Sequence, residues 1–441
     1  MYKDKNNAVS EEKKIKLKEI ITDFHERDLA HIYERDLEVP YDVQKVVSFL
    51  GPRRAGKTSL CLQMVKHLRQ RIPSDCLTYI NFEDDRLYPL ALQDTDSFVE
   101  AYYELYPDNK GHLVYFFFDE VQEVDGWEKF VRRLHDQEQC RIYVTGSSSK
   151  LLSREIATSL RGRTLSYEVF PLSFAEYLAF NEIKANPNSS KGKALLQHTF
   201  LRFMRQGGFP ELVFLDETFH RRTVSEYIDL MLYRDLVERF GVRTPSLLKY
   251  LLKYTLDNVS TLLSINKLYH DLKSQGYAVS KNTVYEYLSY LEEAFILFRV
   301  QRWSKSERQK SINPDKMYTI DPAFKYVMTG DSDQGRVLEN MVFLALRRLG
   351  YEPNYWKGKQ EVDFYEEGKY LINVCLDMTN LDTRRRELKG INEAMNATGL
   401  KKSVIVTFDQ QGSEQLEGGM VQVVLARDFL LNVPGYVNSD G

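Results

Sequence analysis

Apolar positions change their period several times along this chain. Between residues 11 and 40, Leu17, Ile20, Ile21, Phe24 and Leu29 recur at helical spacing among charges, which predicts a helix whose buried stripe braces the next domain. From 46 to about 180, short unbroken apolar runs alternate with helical patterns. Residues 46–50, 77–82, 114–118 and 141–145 read as strands, and 59–70 and 127–136 as helices. Strands apolar on both faces and separated by helices predict a parallel sheet covered on both sides. Residues 195–255 read as all-helical. A small helix-turn-helix unit covers 257–303, with helices at 263–274 and 280–294, Gly276 in the break, and a β run at 296–303. From 336 to 432 the mixture returns: helices at 336–349 and 383–398, strands at 361–364, 370–375, 402–408 and 421–425. Turn formers concentrate at 185–193 and 328–335, which mark the weakest joints.

Composition narrows the class. With 43% hydrophobic and 28% charged residues among 441, the chain is long enough for several domains and ordinary for a soluble protein. Its formal net charge is -3, so any surface for a nucleic acid has to be local. Cys61, Cys76, Cys140 and Cys375 form no CxxC pair or zinc-finger spacing, which argues against structural zinc and suits a reducing compartment. The charged N-terminus lacks the apolar core of a signal peptide, and no run of about 20 apolar residues is present to span a membrane. A cytoplasmic location is the expectation.

The chemistry begins at Gly51-Pro52-Arg53-Arg54-Ala55-Gly56-Lys57-Thr58, a full match to G-x-x-x-x-G-K-[ST] between a β run and a helix. Glycines let consecutive N–H groups face phosphates, and the helix that Ser59 continues adds its positive end. Lys57 is expected on the β- and γ-phosphates of ATP and the Thr58 hydroxyl on Mg²⁺. The apolar run 114–118 ends in Asp119 and Glu120, the arrangement in which the Asp holds Mg²⁺ and the Glu polarises the attacking water. After the run 141–145, Ser147 or Ser148 is placed to sense the γ-phosphate; a serine-rich turn is the alternative. Arg161 and Arg163 are candidates for neutralising charge on the transferring phosphoryl group, in cis or from a second subunit. For them the competing reading is solvent exposure or a structural salt bridge.

These motifs resemble the prokaryotic AAA-type ATPases that carry a C-terminal domain of unknown function with a nuclease-like core. The matching stretches are GPRRAGKT (51–58), FFFDEVQEVDGWEKFVRRL (116–134), VTGSSSKLLS (144–153), SLRGRTLSYEVFPLSFAEYL (159–178), GGFPE (207–211) and YRDLVERFGV (233–242). The helical unit at 263–298, LEN (338–340) and EVDF (361–364) join them. The resemblance implies an α/β chain: a helical segment over 1–40, a P-loop ATPase domain over 41–190, a helical region with a winged-helix-like module over 191–330, and a restriction-endonuclease-like fold over 331–441. It supports Asp119 and Glu120 as the acidic pair and Arg161 or Arg163 as the arginine facing the γ-phosphate.

Nuclease chemistry of that type needs several carboxylates and a lysine around Mg²⁺. Glu339 stands as the helix acid and Asp363 as the hairpin acid. Asn373 stands where a strand acid belongs and Cys375 where the lysine belongs. Asn brings no negative charge to a metal, so the expectation is an inactive relic used for binding or assembly, with Lys359 or Lys369 as the lysines left to substitute in space. In the wing region 299–310 that follows its second helix, Arg299, Arg302, Lys305, Arg308 and Lys310 interleave with Trp303, a pattern that suits a phosphate backbone. Glu286, Glu292 and Glu293 favour a protein partner instead. Three functions stay in view: an ATPase coupled to a partner, DNA or protein; a nucleotide-gated switch with little turnover; and an ATP-regulated nuclease. Oligomeric state is open.

Overall fold

The computed structural model describes residues 2–147, 160, 162–330 and 333–437. Ser148 and Arg161, two of the sequence candidates, lie outside them. The chain divides into two compact units, Met1–Val169 and Phe170–Gly441.

The first unit opens with helix α1 (Tyr2–Glu26). The helix expected over 11–40 stops there: the Asp28 side chain takes the Ala30 N–H at 2.8 Å, and Pro40 forbids helix around it. Leu29 is still buried, and Leu37 and Val39 pack half-buried against the same core along an irregular path. Next come β1 (Val46–Leu50), α2 (Lys57–Leu68), β2 (Leu77–Asn81), α3 (Thr95–Leu105), β3 (Val114–Asp119), α4 (Trp127–Gln137), β4 (Cys140–Gly146) and β5 (Thr164–Glu168). The strands form one parallel sheet in the order β2-β3-β4-β1-β5. Strand β5 is absent from the sequence reading because its half-exposed TLSYE lacks an apolar run. Phe49, Phe117 and Tyr143 fill one face of the sheet, while Phe98, Phe116, Phe118 and Phe130 pack edge to face on the other. The register pairs Leu50 with Gly146, Phe118 with Val144 and Asn81 with Asp119. The carboxyl ends of four strands therefore share one edge, where open α/β sheets bind ligands.

The second unit starts with helices α5 (Phe174–Phe180), α6 (Ser190–Gln206), α7 (Pro210–Phe214) and α8 (Glu217–Leu230), which runs on as a π-helix through Met231–Glu238. Helix α9 (Pro245–Asp257), β6 (Leu262–Leu263), α10 (Ile265–Ser274), α11 (Lys281–Glu293), β7 (Leu297–Val300), α12 (Glu307–Ile312) and β8 (Asp315–Thr319) come next. Strands β6, β8 and β7 form a small antiparallel sheet in that order, with α9, α10 and α11 interspersed before β7. After α13 (Pro322–Thr329) and α14 (Gln334–Arg348) come β9 (Asn354–Lys357), β10 (Glu361–Glu366), β11 (Tyr370–Val374), α15 (Leu381–Thr398), β12 (Lys402–Thr407), β13 (Gly412–Gln415), β14 (Met420–Leu425), α16 (Ala426–Leu431) and α17 (Val433–Val437). The six strands order as β13-β14-β12-β11-β10-β9, with β11, β12 and β14 parallel. One continuous core runs from Phe170 to Val437. The joints expected near 190 and 330 are consequently turns inside this unit, and Phe170, Leu172 and Phe174 belong to its core.

Candidate functional site

The loop after β1 is shaped by what it packs against. A β-carbon on Gly51 would lie 2.1 Å from the Val169 carbonyl oxygen, so only glycine fits. Arg54 and Gly56 both adopt left-handed backbone, with φ of 63° and 97°, and curl the chain into α2. Gly56 gives α2 no side-chain cap, which leaves the first-turn N–H groups of Lys57, Thr58 and Ser59 for an outside acceptor such as a phosphate. Pro52 and Ala55 are buried in the curl, whereas Arg54 and Ser59 face outward. Arg53 is folded against neighbouring acids, 2.9 Å from Glu83 and 4.0 Å from Glu123.

Lys57 is almost wholly buried. Its ammonium donates to the Gly51 and Pro52 carbonyls at 3.1 Å each and lies 3.8 Å from the Glu120 carboxylate. The lysine thus spans the loop's concave side and reaches toward the end of β3. There Asp119 is desolvated and accepts three hydroxyls: Thr58 at 2.6 Å and Tyr79 at 2.6 Å on Oδ2, and Thr145 on Oδ1. The Thr145 hydroxyl in turn accepts the Glu120 N–H at 2.9 Å. Glu120 has left-handed backbone, φ 52°, a conformation a non-glycine residue holds only when its surroundings impose it. Gln122 donates to its Oε2 at 2.5 Å.

The sequence candidates therefore separate. Gly51 to Thr58, Asp119 and Glu120 meet on one sheet edge. Ser147 is buried directly after β4, but the hydroxyl that touches both acids belongs to Thr145, two residues earlier. The sequence reading missed Thr145, and Tyr79 with it; Thr145 ends an apolar run between the loop strand and the acidic strand, which was the available signal. Arg163 is a correction for action in cis. It precedes β5, its carbonyl accepts the N–H of Val46 at the start of β1 at 2.8 Å, and its guanidinium holds Asp136 at 3.0 Å. It sits at the far end of the sheet from the loop, separated by the length of β1.

In the second unit, Glu339 on α14 and Asp363 on β10 do come together, around a lysine that sequence reasoning did not name. Lys316 of β8 places its ammonium 3.0 Å from Glu339, 2.8 Å from Glu361 and 2.8 Å from Asp363, and Tyr318 donates to Glu339 at 2.7 Å. Burial and the neighbouring Asp363 push the Glu339 carboxyl up. Asn373 accepts the Asp363 N–H at 3.1 Å and donates to Glu387 at 2.5 Å. Lys369 is not the substitute, since its ammonium pairs with Glu366; at Lys359 it is the backbone N–H that donates to Glu393, at 3.0 Å. Among the described residues no group of three or more His, Cys, Asp and Glu is arranged to hold a metal ion.

Three of the five cations in the stretch 299–310 are engaged internally. Arg299 grips Glu292 through two bonds of 2.7 Å, Arg302 donates to the Lys357 carbonyl at 2.6 Å, and Lys310 pairs with Glu307 at 2.7 Å. Trp303 packs edge-on against Tyr365. The expected run of phosphate-facing cations is thus reduced, because residues 301–303, just after β7, bridge to Tyr355 of β9. No helix among the described residues is long and apolar enough to cross a membrane.

Residues 43–178 match the family model described as AAA domain, and residues 197–335 match one described as a domain of unknown function, DUF8612. An uncharacterised protein of Methanocaldococcus jannaschii is 37% identical over 418 residues, covering 92% of each chain. One of Haemophilus influenzae is 31% identical over 401 residues, covering 88% of this chain and 94% of its own. Among solved structures, a Walker-type ATPase of Pyrococcus abyssi matches with a TM-score of 0.38 at 15% identity, over 64% of this chain and 90% of its own. With a glycine loop, a buried lysine and an acidic strand end converging as described, this chain belongs to the family of P-loop AAA-type ATPases that carry this additional domain of unknown function.

Proposed function

We propose that the chain hydrolyses ATP with Mg²⁺ and passes its nucleotide state to a partner held by the second unit. The observation that carries this is the Thr58–Asp119 hydrogen bond of 2.6 Å, with Lys57 and Glu120 3.8 Å apart beside it. The residues fit a hard cation. Thr58 spends its one proton on Asp119 and keeps its oxygen lone pairs, and a hydroxyl plus a carboxylate suits Mg²⁺, which retains most of its waters. When bound, the metal would neutralise charge shared between the β- and γ-phosphates. Lys57 would exchange its loop carbonyls for phosphate oxygens, and the N–H groups of α2 would hold the β-phosphate. Glu120, fixed at its backbone by Thr145, would orient and deprotonate the attacking water. Action of Arg163 would require a second subunit. Phosphate release from wild type and Glu120→Gln tests the reading. We expect a drop of about 10²- to 10⁴-fold with ATP binding retained. Equal background rates in both would favour the nucleotide-gated switch.

The internal pairing of Arg299 and Arg302 supports a protein rather than duplex DNA as that partner. On this reading duplex DNA leaves the ATPase rate unchanged, and stimulation by DNA would reverse the assignment.

A further inference from the structure

The Asp119 carboxylate is held from inside the sheet as well as from the loop. Thr58 reaches it from α2, Thr145 from β4, and Tyr79 from β2 at 2.6 Å. Register explains the last contact: Asn81 pairs with Asp119 and Tyr79 with Phe117, so the Tyr79 side chain lies on the same sheet face one step back and its long ring spans the gap. Tyr79 is buried, and its hydroxyl is the donor to the carboxylate. Its ring is fixed in turn by α1. Phe24 stacks on it with centroids 5.2 Å apart at 29°, and Arg69 covers Phe24 at 5.0 Å while donating to the Phe24 carbonyl at 2.9 Å. His25 anchors the same turn of α1, bonded to the Leu77 carbonyl at 2.8 Å and to the Tyr106 hydroxyl at 2.7 Å.

We propose that Tyr79 is a positioning residue for the metal-binding Asp119, and that α1 sets its place through Phe24. This rests on the ATPase reading above. With Tyr79 on one oxygen and Thr145 on the other, rotation of the carboxylate is opposed at both ends. Without Tyr79, Oδ2 keeps only the Thr58 hydroxyl, whose oxygen the cation would also use, and loses its donor from β2. The N-terminal helix is then part of the metal site's scaffold rather than a cover on the sheet.

The test uses the full chain and Mn²⁺ as a spectroscopic stand-in for Mg²⁺. Mn²⁺ binding to the protein–ATP complex is monitored by electron paramagnetic resonance in wild type, Tyr79→Phe and Phe24→Leu, alongside ATP affinity in chelator. Loss of one hydrogen bond to a charged group predicts about tenfold weaker Mn²⁺ binding in Tyr79→Phe, a smaller shift in the same direction in Phe24→Leu, and unchanged metal-free ATP affinity in both. Tyr79→Phe removes only an oxygen, so the fold should persist, and near-ultraviolet circular dichroism checks that it does. Wild-type Mn²⁺ affinity in a folded Tyr79→Phe would overturn the proposal and leave the ATPase reading standing. Absence of nucleotide-dependent Mn²⁺ binding in wild type itself would overturn both.

Discussion

The Thr58 hydroxyl and the Asp119 carboxylate meet at 2.6 Å although 61 positions separate them in the chain. The contact exists because β4 lies between β1 and β3 and holds their carboxyl ends level. Thr58→Ala removes the hydroxyl oxygen that the proposed metal needs and leaves Lys57 in place. We expect Thr58→Ala to bind ATP in chelator about as well as wild type. Added Mg²⁺ should tighten the variant's binding little, where it tightens wild type strongly. Titration of a fluorescent ATP analogue with and without Mg²⁺ measures this. A full Mg²⁺ effect in the variant would remove Thr58 from the site.

Lys57 sits with its ammonium on two loop carbonyls, 3.1 Å from each. Those contacts hold it on the concave side of the loop, where the proposed phosphate would sit. Charge-assisted hydrogen bonds are each worth about 1.5–3 kcal/mol, so Lys57→Ala should weaken ATP binding by roughly 10- to 100-fold. Isothermal titration gives the constant, and retained affinity would count against the loop as the nucleotide site.

Much of this was legible because the motif physics is local. Gly51 to Thr58 and the run ending in Asp119 and Glu120 declare themselves by residue type and by the strands before them. What stayed hidden depends on register or on distant chain. Thr145 and Tyr79 are ordinary strand residues until β4 and β2 are aligned with β3. Arg163 looked suitable by type, but the start of β5 pairs with the start of β1 and carries it to the opposite end of the sheet. Lys316 was invisible because β8, Asp315–Thr319, has charged residues at its start and no long apolar run, and its carboxylate partners lie 23, 45 and 47 positions further along the chain. The comparison at Cys375 looked for a lysine on the neighbouring strand, whereas the lysine between the acids comes from β8 of the β6-β8-β7 sheet.

That lysine yields a stability prediction. Lys316 is buried with Glu339, Glu361 and Asp363 around its ammonium. Removing one member of a buried ion cluster strands the others without compensation, at about 3–5 kcal/mol. Lys316→Met keeps the chain length and removes the charge. Urea unfolding should show a loss of that size confined to the transition of the second unit, with ATP affinity of the first unit unchanged. Adding Glu339→Gln to Lys316→Met should recover part of the loss, since one unpaired carboxylate is gone. A double variant less stable than Lys316→Met would mean that the acids do not repel one another as described.

Asp321 gives the second unit a pH dependence whose sign can be worked out. It is fully buried at the start of α13 and accepts the Gly208 N–H at 2.7 Å and the Ala323 N–H at 2.8 Å. Burial pushes its carboxyl up from 3.8 to about 7, and the two N–H donors only partly offset that. Between these values the folded protein keeps a proton that the unfolded chain has released. The folded state is therefore favoured by this group below pH 3.8, and the contribution is lost as pH rises through about 7. Asp321→Asn cannot ionise, and its single amide oxygen satisfies one of the two N–H groups, so it should cost a constant amount at every pH. Subtracting the unfolding free energy of Asp321→Asn from that of wild type cancels all other titrating groups. The difference should fall steadily from pH 4 to 7 and then flatten. Parallel curves across that window would show that Asp321 is already ionised in the folded protein, stabilised by its N–H donors despite its burial.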